Sequence, residues 1–566
     1  MQTRSWWGLV AGSLFVLSAA PAASAAVTPS EDVLAVLKGA LGEVSEQLAK
    51  EPDPAYFVEY ELVDHRELTI QGSHGAEAGT VPEHLRSLDV DVRVGSMQLD
   101  STHKLRDQGF FSETPRPQWY VGFDGPLDPL RRQLLRATDD VFRAGRARLV
   151  KVRSNEQVKV ARTDTSADFS AAAAVTLDAP APAIVVDTPA WQALTREVSS
   201  IYLHYPEVYD SAVQLVVTED DRWIATNEGT AVRDAWRHLR VATWAQTVAD
   251  DGMNLSVYDY VDVASADHLP DRAAIEAMTR GVAERVVALR HAPVIDPWTG
   301  PAILRGRAAG VFFHEIFGHR IEGHRQKDED EGQTFTNRVG QSILPAFLSV
   351  VDDPTLARLG NVDLNGHYAV DDEGVAAERV PLVEHGVLKN FLMSREPVAG
   401  FGRSNGHGRR QPGNAVVARQ GNLMVQADGV IPFPELRKRL VDEVKKQGKP
   451  WGLIFDDISG GFTFTGRSTP NSFAVQPVTV WRVYADGRPD ELVRGVDLIG
   501  TPLTTFANIL AAGGETEVFN GVCGAESGWV PVSASAPSLL VKDVEVQRRE
   551  KGNDRPPLLG VPGGAR

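Results

Sequence analysis

The sequence contains very little cysteine: Cys523 is the single one among 566 residues. One thiol cannot form a disulfide within the chain, so a fold held together by internal disulfides is excluded. Three outcomes remain for the thiol, which is either buried and inert, bound to a metal, or joined to another chain. Free cysteines are among the most buried residue types, so composition alone favours burial.

Basic residues are scarce relative to acidic ones. The chain has 58 Lys and Arg against 75 Asp and Glu, which gives a formal net charge of −17 at pH 7. An acidic surface repels nucleic acid and anionic lipid, and we expect neither as a partner. The shares of hydrophobic residues, 43%, and of charged residues, 23%, are those of an ordinary globular protein. The length predicts two or three domains.

Long apolar runs are absent after the first 25 residues. No later stretch approaches the roughly eighteen apolar residues of a membrane-spanning helix. At the N-terminus, Arg4 precedes an apolar segment from Trp6 to Ala20, and the small residues Ala23 and Ala25 follow it. This pattern predicts a secretory signal peptide, residues 1–25, cleaved after Ala25, with a membrane anchor as the alternative. We therefore expect an exported protein, periplasmic or secreted, without a membrane contact after cleavage.

The first half of the chain, residues 26–292, is predicted to form an N-terminal α/β domain. Residues 57–98 alternate between apolar and polar side chains, as half-buried antiparallel strands do. A helical pattern starts at Pro270 and stops before residue 293. Residues 166–190 are rich in Ala and Pro and predict a connection with a short strand at 183–186, so that two subdomains are compatible with this half.

The second half, residues 293–547, is predicted to be β-rich and of barrel or sandwich type. Short apolar runs are separated by Gly and Asn turns, which is typical of such folds. One interruption is predicted to be a helix, with Thr501 as N-cap, Pro502 in the first turn and Gly513 near its end. Cys523 then falls in a predicted loop. Residues 548–566 are expected to be a disordered tail, and the fold class is α+β.

The segment from Val311 to Arg325, VFFHEIFGHRIEGHR, carries the strongest chemical signal. His314 and His319 lie five residues apart, and Glu315 follows the first histidine. On a regular helix five residues rotate by about 500°, which leaves the two side chains about 140° apart. One extra residue in the turn, a π-bulge, would bring both histidines to one ion. We predict such a bulge, which the small Gly318 would ease.

The surroundings of the two histidines predict a buried site. Apolar residues flank them on all sides, so the histidines, Glu315 and Arg320 are costly unless they are paired or bind a metal. The alternative is a hydrogen-bonded polar network in the core. A catalytic zinc takes three protein ligands and keeps one open position. Candidates for the third ligand are Glu322, His324 and Cys523, and a bound metal would explain the solitary cysteine.

Several blocks of sequence together resemble the TldD/PmbA family of metallopeptidases. They are AAGVFFHEIFGHRIEG at 308–323, VDDEG at 370–374, HGVLKNFLMSR at 385–395, GHGRR at 406–410 and the closing block that begins GVDLIGTPLTTFANILAAGG. Their order and spacing match over roughly residues 290–548, and the first half fits more loosely.

The resemblance implies a ligand set and a partner. It implies His314, His319 and Cys523 as ligands of one Zn²⁺ per chain, with Glu315 as general base. PmbA-like partner subunits lack this set, so the chain resembles the catalytic side of the family. Family members resemble dimers with an enclosed active site, which implies a homodimer or a heterodimer with a related subunit.

Further residues are candidates for contacts with a substrate. The oxyanion of a cleaved peptide needs a second donor, for which Tyr368, His407 and Arg409 are candidates. The acidic residues 371–373 are expected to form a solvated turn before Gly374. A β-rich domain favours an extended peptide bound alongside a strand.

These observations predict an exported zinc metallopeptidase that hydrolyses unfolded or small peptides. The alternatives are a zinc-dependent amide or acyl hydrolase of non-protein substrates and a non-catalytic peptide-binding scaffold subunit. Iron or manganese could replace zinc, but a thiolate ligand favours zinc.

Overall fold

The structure, a computed structural model, describes residues 32–105, 117–124, 126–156, 164–463, 465–466, 473–500 and 502–549. The predicted signal peptide, the predicted N-cap Thr501 and the predicted tail from residue 550 onward lie outside these residues. Among the described residues, no helix is both long and apolar enough to cross a membrane.

The first half is built on a seven-stranded sheet in the order β3-β2-β1-β5-β6-β4, with β7 also paired to β6. Its strands are β1 (Ala55–Ser73), β2 (Ala76–Val94), β3 (Trp119–Tyr120), β4 (Thr176–Asp178), β5 (Asp210–Thr226), β6 (Ala231–Val248) and β7 (Asn254–Val263). All neighbours are antiparallel except β4 and β6. Long hairpins therefore form the body of this half.

Four helices pack on this sheet: α1 (Val33–Leu48), α2 (Asp128–Glu156), α3 (Thr188–Ser199) and α4 (Arg272–His291). Asp32, Asp187 and Asp271 begin α1, α3 and α4, because each aspartate side chain accepts a backbone N–H of the first turn. The helices bury their apolar faces in two clusters, one under α1 and α2 and one under α3 and α4.

The short strand in the connection lies earlier than predicted. Thr176–Asp178 pairs with β6, whereas residues 183–186 form no strand. Val185 is 85% exposed, so its apolar side chain does not mark a buried strand. The prediction of a strand at this position was wrong, because the pattern was too short to distinguish a strand from a surface segment.

The second half contains an eleven-stranded sheet in the order β13-β12-β9-β16-β22-β20-β18-β17-β8, with β19 paired to β18 and β21 to β22. Its strands and those of two small hairpins are β8 (Trp298–Leu304), β9 (Leu348–Asp352), β10 (Arg358–Leu359), β11 (Val362–Asp363), β12 (Val380–Glu384), β13 (Val387–Leu388), β14 (Gly408–Arg409), β15 (Val417–Ala418), β16 (Asn422–Ala427), β17 (Trp451–Thr463), β18 (Phe473–Tyr484), β19 (Glu491–Val493), β20 (Val496–Gly500), β21 (Ile509–Ala525) and β22 (Gly528–Arg548). Its helices are α5 (Gly306–Ile316), α6 (His324–Lys327), α7 (Phe433–Lys446) and α8 (Pro502–Ala507).

Five strands of this sheet close into a barrel. Strands β22, β20, β18, β17 and β8 pair in succession, and β8 pairs back onto β22. Helix α5 packs against β22, β17 and β21, and nearly all its residues are buried. The predicted α+β class, with an antiparallel N-terminal sheet and a β-rich second half, is confirmed; the exact domain boundaries stay a prediction.

The helix predicted from Thr501 is shorter than expected. Helix α8 ends at Ala507, and the chain continues as strand β21 from Ile509 to Ala525. Gly513 does not end a helix: a side chain there would lie 2.7 Å from the carbonyl oxygen of Ile431, so the close approach of two backbones excludes any other residue. Cys523 consequently lies in a strand paired with β22, and its predicted loop was wrong.

The acidic turn at residues 371–373 is not solvated, in contrast to the prediction. Asp371 is buried and accepts the backbone N–H groups of Val375 and Gly408. Glu373 accepts the backbone N–H of Arg395. Partners distant in sequence thus supply the hydrogen bonds that water would otherwise provide.

Arg410 connects the two halves of the chain. Its guanidinium donates to the Glu61 carboxylate at 2.7 Å and lies 3.5 Å from that of Glu59, and all three side chains are buried. Burial raises the pKa of Glu61, and Arg410 partly offsets this effect, so that the pKa stands at about 7. Glu59 and Glu61 both lie in β1. Arg410 therefore compensates their negative charges where the two halves of the chain meet.

We expect Arg410→Ala to lower the free energy of unfolding by about 3–5 kcal/mol, because it removes the guanidinium nearest to two buried carboxylates. Urea unfolding of purified protein measures the change. The control is Arg403→Ala, which removes an exposed pair with Glu378 and should cost about 0–1 kcal/mol. Equal effects of the two substitutions would contradict the role of Arg410 in joining the halves.

Candidate metal centre

The two histidines are brought together by the end of a helix and not by a bulge within it. His314 lies in the last turn of α5, which ends at Ile316, and His319 lies in a 3-10 turn from Gly318 to Arg320. The imidazole rings have centroids 5.1 Å apart. The predicted π-bulge was wrong, because the tighter 3-10 turn changes the direction of the chain without an inserted residue.

Gly318 permits this change of direction. A side chain at this position would overlap the amide group of Gln420. Gln420 is buried, and its amide nitrogen donates to the carbonyl oxygen of His314 at 3.3 Å. The amide thus caps one of the free carbonyls at the end of α5.

Cys523 comes to the histidines from strand β21. Its sulfur lies 3.3 Å from Nε2 of His319, and the potential ligand atoms of His314, His319 and Cys523 all lie within 4.8 Å of one another. The three residues are buried. Nδ1 of His314 has no hydrogen-bond partner among the described residues. Two imidazoles and a thiolate suit zinc and leave one coordination position open, so these residues fit the ion.

The other two candidates for the third ligand have different partners. Glu322 lies 3.2 Å from Nδ1 of His319, on the opposite side of that ring from Cys523. Nε2 of His324 lies 2.5 Å from the carboxylate of Glu526. Of the alternatives left open by the sequence, the structure therefore brings Cys523 to the histidine pair. Metal binding by these residues stays a prediction.

The charges around the centre favour the ligand form of the thiol. Burial would raise the pKa of Cys523, but His319, His314 and Arg419 outweigh burial and hold the pKa well below its usual range. The thiolate is the form of cysteine that binds metals. Burial also opposes ionisation of Glu322, yet His319 and Arg325 lower the pKa of this carboxyl to about 2.

Glu315 lies beside the cluster. One of its carboxylate oxygens is 4.0 Å from Nε2 of His319. Glu315 and the two histidines line one cavity. Burial raises the pKa of Glu315, while His314 and His319 partly offset the shift. The carboxylate is therefore close to the potential metal ligands without replacing one of them.

The cluster lies at the wall of a cavity of about 440 Å³. Segments of two strands form its sides, residues 460–463 of β17 and residues 519–525 of β21. Among the described residues, these segments form strand ladders with β18 and β22 respectively and with no third strand. The cavity is lined by Val311, His314, Glu315, His319, Arg325, Gly460, Gly461, Phe462, Thr463, Thr465, Phe519, Val522, Cys523, Gly524, Ala525, Glu526, Trp529 and Val532.

The three predicted oxyanion contacts do not line this cavity. The guanidinium of Arg409 stacks on the ring of Tyr368 at 4.6 Å and donates to the carbonyl oxygen of Gln420. His407 is fully buried with Nε2 3.3 Å from Asp352. The structure places these side chains against neighbouring loops, and a contact with substrate stays an untested prediction.

The sequence did not predict two residues near the centre, Arg419 and Glu526. Arg419 contacts the backbone of Cys523, and Glu526 contacts the side chain of Arg325. Arg419 donates to the carbonyl oxygen of Cys523 at 2.7 Å. Glu526 follows Cys523 by three residues and lines the cavity. The only signal in the sequence was the charge of each residue beside a predicted strand, and many surface residues share that signal.

Comparison with known proteins finds similarity in the second half of the chain. Residues 298–548 match the model of the PmbA/TldA metallopeptidase C-terminal domain. A metalloprotease of Methanothermobacter thermautotrophicus is 28% identical over 341 residues, which are 60% of this chain and 70% of that protein. One of Archaeoglobus fulgidus is 31% identical over 241 residues, 42% of this chain and 51% of that protein. A zinc metalloprotease TldD homolog of Saccharolobus solfataricus is 25% identical over 248 residues, 44% and 51% of the two chains.

Solved structures share the fold over most of the chain. A protein of Thermotoga maritima has a TM-score of 0.59 at 15% identity, covering 90% of this chain and 99% of that one. TldE of Thermococcus kodakarensis has a TM-score of 0.57 at 12% identity, covering 90% and 100%. The second half of the chain is thus similar to the C-terminal domain of PmbA/TldA metallopeptidases and to metalloproteases of this type. Most of the relatives named above are matched over only about half of their length.

We expect purified protein to contain about one zinc ion per chain, and Cys523→Ala, His314→Ala and His319→Ala to lose most of it, because each removes one of three ligands. Metal analysis after purification without chelator and with zinc added back gives the content. His385→Ala is the control, since this histidine is exposed and lies outside the cluster. Absence of zinc from the unmodified protein would contradict the prediction that these three residues bind zinc.

Proposed function

We propose that the protein is an exported zinc metallopeptidase that hydrolyses peptide bonds in unfolded or small peptides. The observation that carries the proposal is the cluster of His314, His319 and Cys523, with Glu315 beside it, at a cavity between two strand edges. The similarity of residues 298–548 to the PmbA/TldA metallopeptidase domain supports peptide hydrolysis as the reaction class.

The chain's own residues supply binding and proton transfer. Zinc held by the two histidines and the thiolate would polarise the scissile carbonyl and lower the pKa of water. In this proposal Glu315 accepts the proton of the attacking water and delivers it to the leaving amine. The backbone N–H of Gly461 donates to Glu315, which orients the carboxylate.

The shape of the cavity supports an extended peptide as substrate. In this proposal the peptide lies between the segments of β17 and β21 that form the sides of the cavity, and it is recognised mainly through its backbone. Phe462, Val522 and Trp529 are exposed at the cavity and offer apolar contacts to side chains of many kinds.

We expect Glu315→Gln to keep its zinc and to lose about 10²–10⁴-fold in kcat on unfolded peptides, because it keeps the shape of the side chain but cannot accept a proton. Hydrolysis of a denatured protein, followed by mass spectrometry, measures the loss. The matched control is Glu384→Gln, an exposed carboxylate outside the cavity.

Two results would contradict this assignment. Unchanged hydrolysis by Glu315→Gln would exclude Glu315 as the base. Cleavage of small acylated amines without cleavage of peptides would favour the amide or acyl hydrolase, and peptide binding without any hydrolysis would favour the scaffold subunit.

The export proposal rests on residues 1–25. We expect the mature chain to begin at residue 26 and to be found outside the cytoplasm, because the segment has the charge, apolar stretch and small residues of a cleavable signal. Cell fractionation with intact-mass measurement tests this expectation. A full-length chain in the cytoplasmic fraction would contradict it. A homodimer, or a heterodimer with a related subunit, is proposed from the family resemblance alone.

A further inference from the structure

The metal ligands come from segments that are far apart in sequence. His319 lies in the 3-10 turn after α5, and Cys523 lies in β21, 204 residues later. Direct backbone pairing does not join the two segments, since β21 pairs with β22 among the described strands. Besides the packing of α5 on β21, side-chain hydrogen bonds between these segments therefore contribute to the distance between the two proposed ligands.

Arg325 contacts groups that neighbour both proposed ligands, His319 and Cys523. Its Nε donates to one oxygen of Glu322 at 2.8 Å, and the other oxygen of Glu322 lies 3.2 Å from Nδ1 of His319. Its Nη2 donates to Glu526 at 2.8 Å, in the hairpin that follows Cys523. One guanidinium thus links the histidine segment to the cysteine hairpin.

Arg419 makes a second link between the same segments. Its Nη2 donates to the carbonyl oxygen of Cys523 at 2.7 Å, and its Nη1 donates to Oγ of Ser527 at 2.7 Å. Its Nε lies 3.7 Å from Glu322. Arg419 and Glu322 have no exposed side-chain surface, so water cannot replace either partner.

We propose that Arg325 and Arg419 are positioning residues that fix Cys523 relative to His319 before a metal binds. We call these two residues, together with Glu322 and Glu526, the arginine clamp. The proposal rests on the proposed zinc function, and it adds a role for residues that are not themselves ligands. Groups that orient the ligands of a metal contribute strongly to its affinity.

The chemistry of the clamp favours arginine over lysine. The planar guanidinium offers donors in several fixed directions, so one side chain can hold Glu322 and Glu526 together. A lysine ammonium is a compact charge on a flexible stem and cannot reproduce both contacts. Arg325 also lines the cavity, but Glu322, Glu331 and Glu526 already surround it. Its charge therefore serves the centre and is not free for a substrate anion.

The test compares Arg325→Lys and Arg419→Lys with the unmodified chain. We expect zinc affinity, measured by competition with a chromogenic chelator, to fall by about 10–100-fold. In the Co²⁺-loaded proteins we expect the thiolate-to-cobalt absorption band to shift or weaken, because the ligands are no longer held in one geometry. Arg410→Lys is the matched control: it makes the same substitution in a buried arginine that contacts two carboxylates away from the centre.

The outcomes distinguish positioning of the metal ligands from a purely structural role of the two arginines. Wild-type affinity and an unchanged cobalt spectrum in folded Arg325→Lys and Arg419→Lys would overturn the clamp, and so would an equal loss of affinity in Arg410→Lys. Thermal unfolding of the metal-free proteins shows whether each variant folds. If a lysine variant does not fold, Glu322→Gln gives the same test, since it keeps the size of the side chain and removes the charge between Arg325 and His319. No zinc binding by the unmodified chain would instead reject the proposed function itself.

Discussion

The close approach of the Cys523 sulfur to His319 is the interaction on which the centre depends. A buried thiolate is costly unless positive charge lies next to it, and His319, His314 and Arg419 supply that charge. The same contact requires α5 to end at Ile316, so that the chain can turn His319 toward β21. The end of α5, the pairing of β21 with β22 and the buried Arg419 therefore all bear on this one contact.

Much of the fold was predictable from local patterns. Alternating apolar residues predicted the hairpin strands β1 and β2, and the helical spacing predicted α4. The errors occurred where distant segments decide the structure. Ile509 begins a strand because β22 lies beside it, and Asp371 is buried because partners from other loops satisfy its oxygens. Patterns within a few residues carry no information about such partners.

The candidate site was predictable in its residues but not in its geometry. The motif predicted His314, His319 and Glu315. Cys523 was one of three candidates for the third ligand, and the family resemblance selected it; the structure places it within reach of both histidines. The π-bulge was wrong because α5 ends at Ile316 and a 3-10 turn follows, in which Gly318 packs against Gln420, about a hundred residues further along the chain. The arginine clamp could not be predicted, since a single arginine in a strand-rich region has no distinguishing sequence pattern.

The closure of the barrel has a consequence for the order in which the protein is completed. Strand β8 pairs with residues 539–546 of β22. The first strand of the barrel along the chain therefore pairs with the last described strand. Pairing between such distant segments is slow to form, because a long loop must close first. Cys523 is held against β22 by the same hairpin. A nascent or truncated chain lacking residues 528–548 has no partner strand for the segment that carries Cys523, so the proposed metal centre forms only after these residues have been synthesised.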